Sequence, residues 1–87
     1  MKVENLTSPR SGREVANQFI IRDGQSTVFQ SYRSTIVKIT GDKTYLDAYY
    51  WDYSVTTGKY RNQFLGESKA ETQRKIDSGE YQLVNLN

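Results

Sequence analysis

Glu14-Val15-Ala16-Asn17-Gln18-Phe19-Ile20-Ile21-Arg22, followed by Asp23-Gly24 and then Ser26-Thr27-Val28-Phe29-Gln30-Ser31-Tyr32, is the stretch whose reading decides the fold. The first segment turns apolar and β-rich toward its end. Asp-Gly readily supplies the positive φ of a tight hairpin turn. Thr, Val, Phe and Tyr in the returning segment favour a pleated surface. The pattern predicts a β-hairpin. Working outward, Thr35-Ile36-Val37-Lys38-Ile39-Thr40 is rich in β-branched residues and reads as a third strand, Gly41-Asp42 as a second turn, and Lys43-Thr44-Tyr45-Leu46-Asp47 as a fourth strand. Four strands in series joined by short turns make an antiparallel meander. Residues 1–13 read as irregular, with Pro9 and Gly12 marking Ser8–Arg13 as a loop.

Beyond Asp52 the period changes. Ser54 is a good helix N-cap, Tyr60, Phe64 and Leu65 recur at helical spacing, and Gly66 is placed to stop the helix. Gly58 weakens this helix by about 1 kcal/mol relative to Ala. Ser68-Lys69-Ala70-Glu71 fits a capping box that opens a second helix, running to about Ser78 and stopping at Gly79. Ala70 and Ile76 are its only apolar side chains, so it is expected on the outside. Gln82–Leu86 has strand composition and can return to the sheet. The expected fold is therefore a single α+β domain over residues 1–87: a four- to five-stranded antiparallel sheet with two short helices after strand four and a C-terminal strand.

The chain has no His and no Cys. Disulfides and thiolate metal sites are excluded, and so are the commonest zinc ligand and the commonest general base near neutral pH. An enzyme is therefore not expected, and neither is a cofactor. Asp47, Asp52, Glu67 and Glu71 match no EF-hand or metal-triad spacing, and turn or capping roles are expected of Asp47 and Asp52, which flank the aromatic block. The net charge of +2 is too small to argue nucleic-acid binding by itself. No apolar run approaches the ~20 residues that span a bilayer, and the first residues lead into no apolar core of a signal peptide. The expected location is the cytoplasm, with no membrane partner.

Five of the eleven aromatic residues, including the only Trp, lie between Tyr45 and Tyr53. Leu46, Trp51 and at least one Tyr are expected in the core, with other rings presented outward. Arg10-Ser11-Gly12-Arg13 sets two guanidinium groups around a hydroxyl and a glycine, a combination able to fork onto phosphate or carboxylate oxygens. Ser54, Thr56 and Thr57 stand at the start of the first helix, where free amides and hydroxyls attract anions. Tyr49, Tyr50 and Tyr53, with Arg33, Lys38, Lys59 and Arg61 as neighbouring cations, resemble the ring-and-cation surfaces that stack bases. If Arg10 or Arg13 folds over the helix start, these signals merge into one phosphate-sized pocket.

Phe29-Gln30-Ser31-Tyr32, Ile36-Val37-Lys38-Ile39, Tyr45-Leu46-Asp47, Trp51–Tyr60 and Phe64-Leu65 together resemble a family of short proteins carried by bacteriophages and mobile elements. In that family an SYxxxIAxI strand precedes a YSxTTxxH or YSxTTxKY helix start that ends in FL. The resemblance covers roughly residues 14–66 and implies phage origin without an established activity. Where some members carry His, this chain has Tyr60.

The leading expectation is a non-enzymatic binding protein for a phosphate-bearing ligand, either single-stranded nucleic acid or a small signalling nucleotide. Arg10 and Arg13 would hold phosphate, Ser54, Thr56 and Thr57 would offer hydroxyls and amides, and Tyr49, Tyr50 or Tyr53 would stack the base. The alternative is an inhibitor that caps a host defence or replication enzyme, with Tyr, Trp and Arg as interface anchors. The thin core and polar second helix also favour a homodimer, with exposed aromatics at the contact.

Overall fold

The computed structural model describes residues 1–87. Its six strands are β1 (Lys2–Thr7), β2 (Glu14–Asp23), β3 (Ser26–Ser31), β4 (Ser34–Thr40), β5 (Lys43–Asp47) and β6 (Tyr81–Val84), and its two helices are α1 (Val55–Leu65) and α2 (Lys69–Ser78). All six strands form one sheet in sequence order. β1 to β5 are antiparallel neighbours, while β6 lies parallel to β5. A parallel return needs a long crossover, and α1 and α2 supply it. The α+β meander with two helices ahead of a last strand is the architecture expected from sequence.

The start of the chain is a correction. Lys2–Thr7 is not irregular but an edge strand paired with the first half of the hairpin. Its polar, weakly alternating sequence hid it. What holds it is the unusual length of β2 together with side-chain ties: Arg22 Nε donates to Glu4 at 2.9 Å and Asn5 Nδ2 donates to the Val15 carbonyl at 2.9 Å. Only Ser8–Arg13 is loop.

Both helices begin and end on the residues that signal them. Ser54 Oγ accepts from the Thr57 amide, and Gly66, at φ 70°, closes α1. Ser68 Oγ accepts from the Glu71 amide, and Gly79 closes α2. No bond returns from the Glu71 carboxylate to the Ser68 amide, so the capping box is half made. α2 is also less external than its composition suggests: Thr72 is fully buried and Ile76 packs on the core.

The core lies between the sheet and the helices. Leu6, Phe29, Ile36, Val37, Leu46, Tyr60 and Tyr81 are its buried members. Phe29 on β3 stacks on Phe64 of α1 with ring centres 5.6 Å apart. Leu46 is core as expected, whereas Trp51 is half-buried against it. Ile36 and Val37 are consecutive yet both buried. The β3–β4 register slips between Phe29 and Gln30, so Ile36 is the extra residue of a bulge and turns inward beside Val37.

Candidate functional site

A cleft of about 130 Å3 opens at the end of the sheet where β3 ends and α1 begins. Ser31, Tyr32, Ser34 and Ile36 form one wall, and Tyr50, Tyr53, Ser54 and Thr57 form the other. The bulge brings Ile36 into the first wall. The first wall includes the two-residue turn Tyr32-Arg33. Tyr32 has φ 56°, a left-handed backbone that a bulky residue rarely adopts. It is held there by two bonds: its amide donates to the Asn17 carbonyl at 2.7 Å, and its carbonyl accepts from Gln30 Nε2 at 2.8 Å. Its ring stays half exposed.

The second wall is the loop 48–54, fixed from both ends. At its start the buried Asp47 carboxylate accepts from the amides of Tyr49 at 3.0 Å, Tyr50 at 2.8 Å and Leu86 at 2.8 Å. Burial pushes the Asp47 carboxyl up, but the amide bonds from Leu86, Tyr50 and Tyr49 outweigh it and hold the group below its ordinary range. At the other end Arg61 of α1, only 1% exposed, reaches back under the loop. It donates to the Trp51 carbonyl at 2.6 Å and to Asn62 Oδ1 at 2.9 Å, with Asp52 at 3.4 Å. Lys69 also pairs with Asp52 at 2.7 Å. Hydrogen bonding to Lys69, then to Arg61, holds the Asp52 carboxyl low. The loop that remains between these anchors presents Tyr49, Tyr50 and Tyr53 as an interlocked set, with ring centres 4.7, 5.2 and 6.1 Å apart.

Hydroxyls line the inner end of the cleft. Ser31 Oγ and Thr57 Oγ1 are 3.0 Å apart, and Ser54 Oγ donates to Thr57 Oγ1 at 3.1 Å. The Thr57 amide is used by Ser54, and the Gly58 amide by the Ser54 carbonyl. Val55 and Thr56, at the first two helical positions, have amides with no intrahelical acceptor.

The structure thus gathers Tyr50, Tyr53, Ser54 and Thr57 in one cleft, with Tyr49 outside it, edge-on to Tyr50. Thr56 and Lys59 are exposed on α1. Lys59 Nζ lies 5.3 Å from the centre of the Tyr60 ring and faces a broad polar groove of about 630 Å3 with Asp52, Asn62 and Lys69. Arg10, Ser11 and Arg13 stand apart. Their loop is folded on itself, with Ser8 and Ser11 hydroxyls accepting from the Arg10 and Arg13 amides at 3.2 Å. Gln63 donates to the Thr7 carbonyl at 2.8 Å, which ties this loop to the far end of α1. Six positions at a rise of about 1.5 Å separate Gln63 from Thr57, so neither arginine folds over the helix start. The merged pocket is not formed. Ser31, Tyr32, Ser34 and Ile36 were not singled out as site residues by sequence, and Arg61, counted there among the cations beside the aromatic block, is instead buried beneath it. The short gap between two β-rich runs at Tyr32-Arg33 was the available signal.

The carboxylates do not assemble. Asp47 and Asp52 anchor the loop, and Glu71 is exposed. Glu67 accepts from Thr72 at 2.6 Å, Lys75 at 2.7 Å and Tyr81 at 2.9 Å, which clamps α2 to β6. No group of three acidic, His or Cys side chains is placed to hold a metal ion. No helix is long and apolar enough to cross a membrane.

No curated protein and no solved structure matches the chain. A family model does, over residues 1–80, from β1 through α2 and so across both walls of the cleft. The chain belongs to that family, DUF8033, a family of unknown function.

Proposed function

We propose that this is a non-enzymatic binding protein whose cleft takes the base of a phosphate-bearing ligand, with Tyr32, Tyr50 and Tyr53 as the stacking surfaces. The observation that carries this reading is the meeting of three tyrosines with the start of α1 in a space about as large as one base. Rings accept any base by its face, and helix-start amides suit a phosphate. Arg33, next to Tyr32 and exposed, is the nearest cation in sequence to the cleft and replaces Arg10 and Arg13 as the expected phosphate partner of a mononucleotide. Arg10 and Arg13 lie on a loop at the same end of the sheet, where they suit the path of a longer strand.

The test is titration of a mononucleotide and of a short single-stranded oligonucleotide at low and high salt. Tyr53→Ala is expected to weaken both at least tenfold, and Arg33→Ala likewise. Arg10→Ala and Arg13→Ala are expected to weaken the oligonucleotide alone. Affinity that ignores salt, or survives Tyr53→Ala, sinks the reading.

A second reading rests on the same surface. Tyr49 and Tyr53 are 72% and 62% exposed and Val55 is 91% exposed, an apolar and aromatic cluster of the kind that anchors protein interfaces. With the phage origin that the sequence resemblance implies, the partner is a host defence or replication enzyme in the cytoplasm. Protein purified without absorbance excess at 260 nm, with a host protein retained by wild type and lost by Tyr53→Ala, favours this second reading.

A further inference from the structure

The helices cover one face of the sheet, and no element of the chain covers the other. Cross-strand partners share a face, so the register identifies what stands on the open side. Val3, Ile21, Val28, Lys38, Tyr45 and Gln82 form one row from β1 to β6. Phe19 lies one row above, beside Asn5 and Gln30. Val84 and Leu86 border a shallow hollow with Lys38, Thr40 and Tyr45. An antiparallel sheet with one solvated face normally alternates apolar inside with polar outside. Here the central row of the outer face is itself mostly apolar, with Val3, Ile21, Val28 and Tyr45 in it and Lys38 its only charge, while the rows on either side are polar apart from Phe19.

We propose that this open face is the contact through which two copies of the chain associate about a twofold axis parallel to the strands and between β3 and β4. The argument for a second copy is the lower row, Asp23, Ser26, Thr40 and Lys43, read across β2 to β5. That twofold lays β2 over the mate's β5 and β3 over its β4. Asp23 then meets Lys43 of the mate, Ser26 meets Thr40, and Ile21 meets Tyr45, each twice by symmetry. Val28 meets Lys38, whose four-carbon stem covers apolar surface while its ammonium reaches the edge. Asp23 and Lys43 are both exposed in the single chain. Sheets stacked this way pack about 10 Å apart. Six strands at about 4.8 Å spacing give on the order of 500 Å2 of face per copy, at the low end of specific interfaces, so the dimer is a reversible one. The axis runs along the strands, so the tyrosine clefts of both copies open at the same end of the dimer. The inference does not depend on what those clefts bind.

Sedimentation velocity over a concentration series tests it. Wild type is expected to shift from monomer to dimer as concentration rises. Asp23→Lys sets two like-charge pairs against each other and is expected to raise the dissociation constant at least tenfold. Asp23→Lys combined with Lys43→Asp restores the pairs and is expected to bring the constant back near wild type. Ile21→Asp is expected to give a monomer with an unchanged melting transition. A wild type that stays monomeric throughout overturns the proposal. So does a dimer indifferent to Asp23→Lys, or one weakened by it that the double exchange fails to restore. The two exchanged residues are exposed, which keeps the test valid even if Ile21→Asp does not fold.

Discussion

Arg61 donates to the backbone carbonyl of Trp51 at 2.6 Å while its guanidinium lies 5.1 Å from the centre of the Trp51 ring. One buried side chain therefore holds both the backbone and the indole of the loop that forms half of the cleft. Truncation to Ala leaves the Trp51 carbonyl without its donor and removes one of the two cations paired with Asp52. Asp52 keeps Lys69 at 2.7 Å, so the main loss is the donor to the buried carbonyl, and Arg61→Ala is expected to cost about 1–3 kcal/mol in urea unfolding. Arg61→Lys should recover little of this, because an ammonium cannot fork onto Trp51 and Asn62 together.

Gly58 sits one turn before Arg61 on α1. A Cβ there would lie 3.6–3.9 Å from the guanidinium atoms, an ordinary contact. The helix penalty of glycine is thus open to repair. Gly58→Ala is expected to stabilise the fold by about 0.5–1 kcal/mol, read as a raised melting temperature.

Tyr32 occupies a backbone conformation that glycine adopts without penalty, and its side chain lines the cleft. A tight turn between β3 and β4 requires this backbone, and glycine would supply it at no cost, so the tyrosine there adds a ring to the cleft rather than a turn to the fold. Tyr32→Gly is expected to leave stability unchanged or raise it by up to about 1 kcal/mol, because the relieved strain exceeds the added chain entropy. The same variant should lose most ligand affinity. A marked fall in melting temperature would instead identify Tyr32 as a packing residue.

The Glu67 clamp gives stability two pH limits. Burial raises the Glu67 carboxyl, but bonds from Lys75, Thr72 and Tyr81 outweigh it, so its folded pKa lies below its ordinary 4.5. Its contribution is present above that value and is lost as pH falls through the lower, folded one. Hydrogen bonding to Glu67 raises Lys75 above 10.5, and burial followed by the bond to Glu67 raises Tyr81 above 10.0. Those contributions hold below the ordinary values and disappear as pH rises through the folded ones. Glu67→Gln is expected to lower stability at neutral pH by about 1–3 kcal/mol and to flatten both limbs in melts taken across pH.

The elements that sequence disclosed are those whose signals are local. Asp23-Gly24, Ser54, Gly66 and Gly79 each need only their own neighbours to fix a turn or a cap, and each does so. β1 escaped because an edge strand needs little apolar alternation when its partner is already in place. The cleft was half legible. Tyr50, Tyr53, Ser54 and Thr57 are close in sequence and their clustering could be seen there. Tyr32 and Ile36 join them only through a turn with positive φ and a bulge, and both depend on the register of β3 with β4. The condition that Arg10 or Arg13 fold over the helix start was not readable for the same reason: it needed a long-range contact, and Gln63 ties the Thr7 end of that loop to the far end of α1.

Gln18 breaks the rule that buried polar groups are paired. It is fully buried on β2, opposite Ser31, and neither amide atom has a hydrogen-bond partner. Ser31 is occupied by Thr57, so the nearest hydroxyl on the adjacent strand is already engaged. An unpaired buried amide costs about 1–3 kcal/mol, whereas an apolar group of similar shape carries no such penalty. Gln18→Met keeps the length and flexibility of the side chain and removes both orphaned atoms. It is expected to raise the unfolding free energy by about 1–2 kcal/mol while leaving the cleft and its tyrosines in place. A loss of stability would mean that the amide is bonded in solution. A gain accompanied by weaker ligand binding would mean that Gln18 is retained for the cleft beside it.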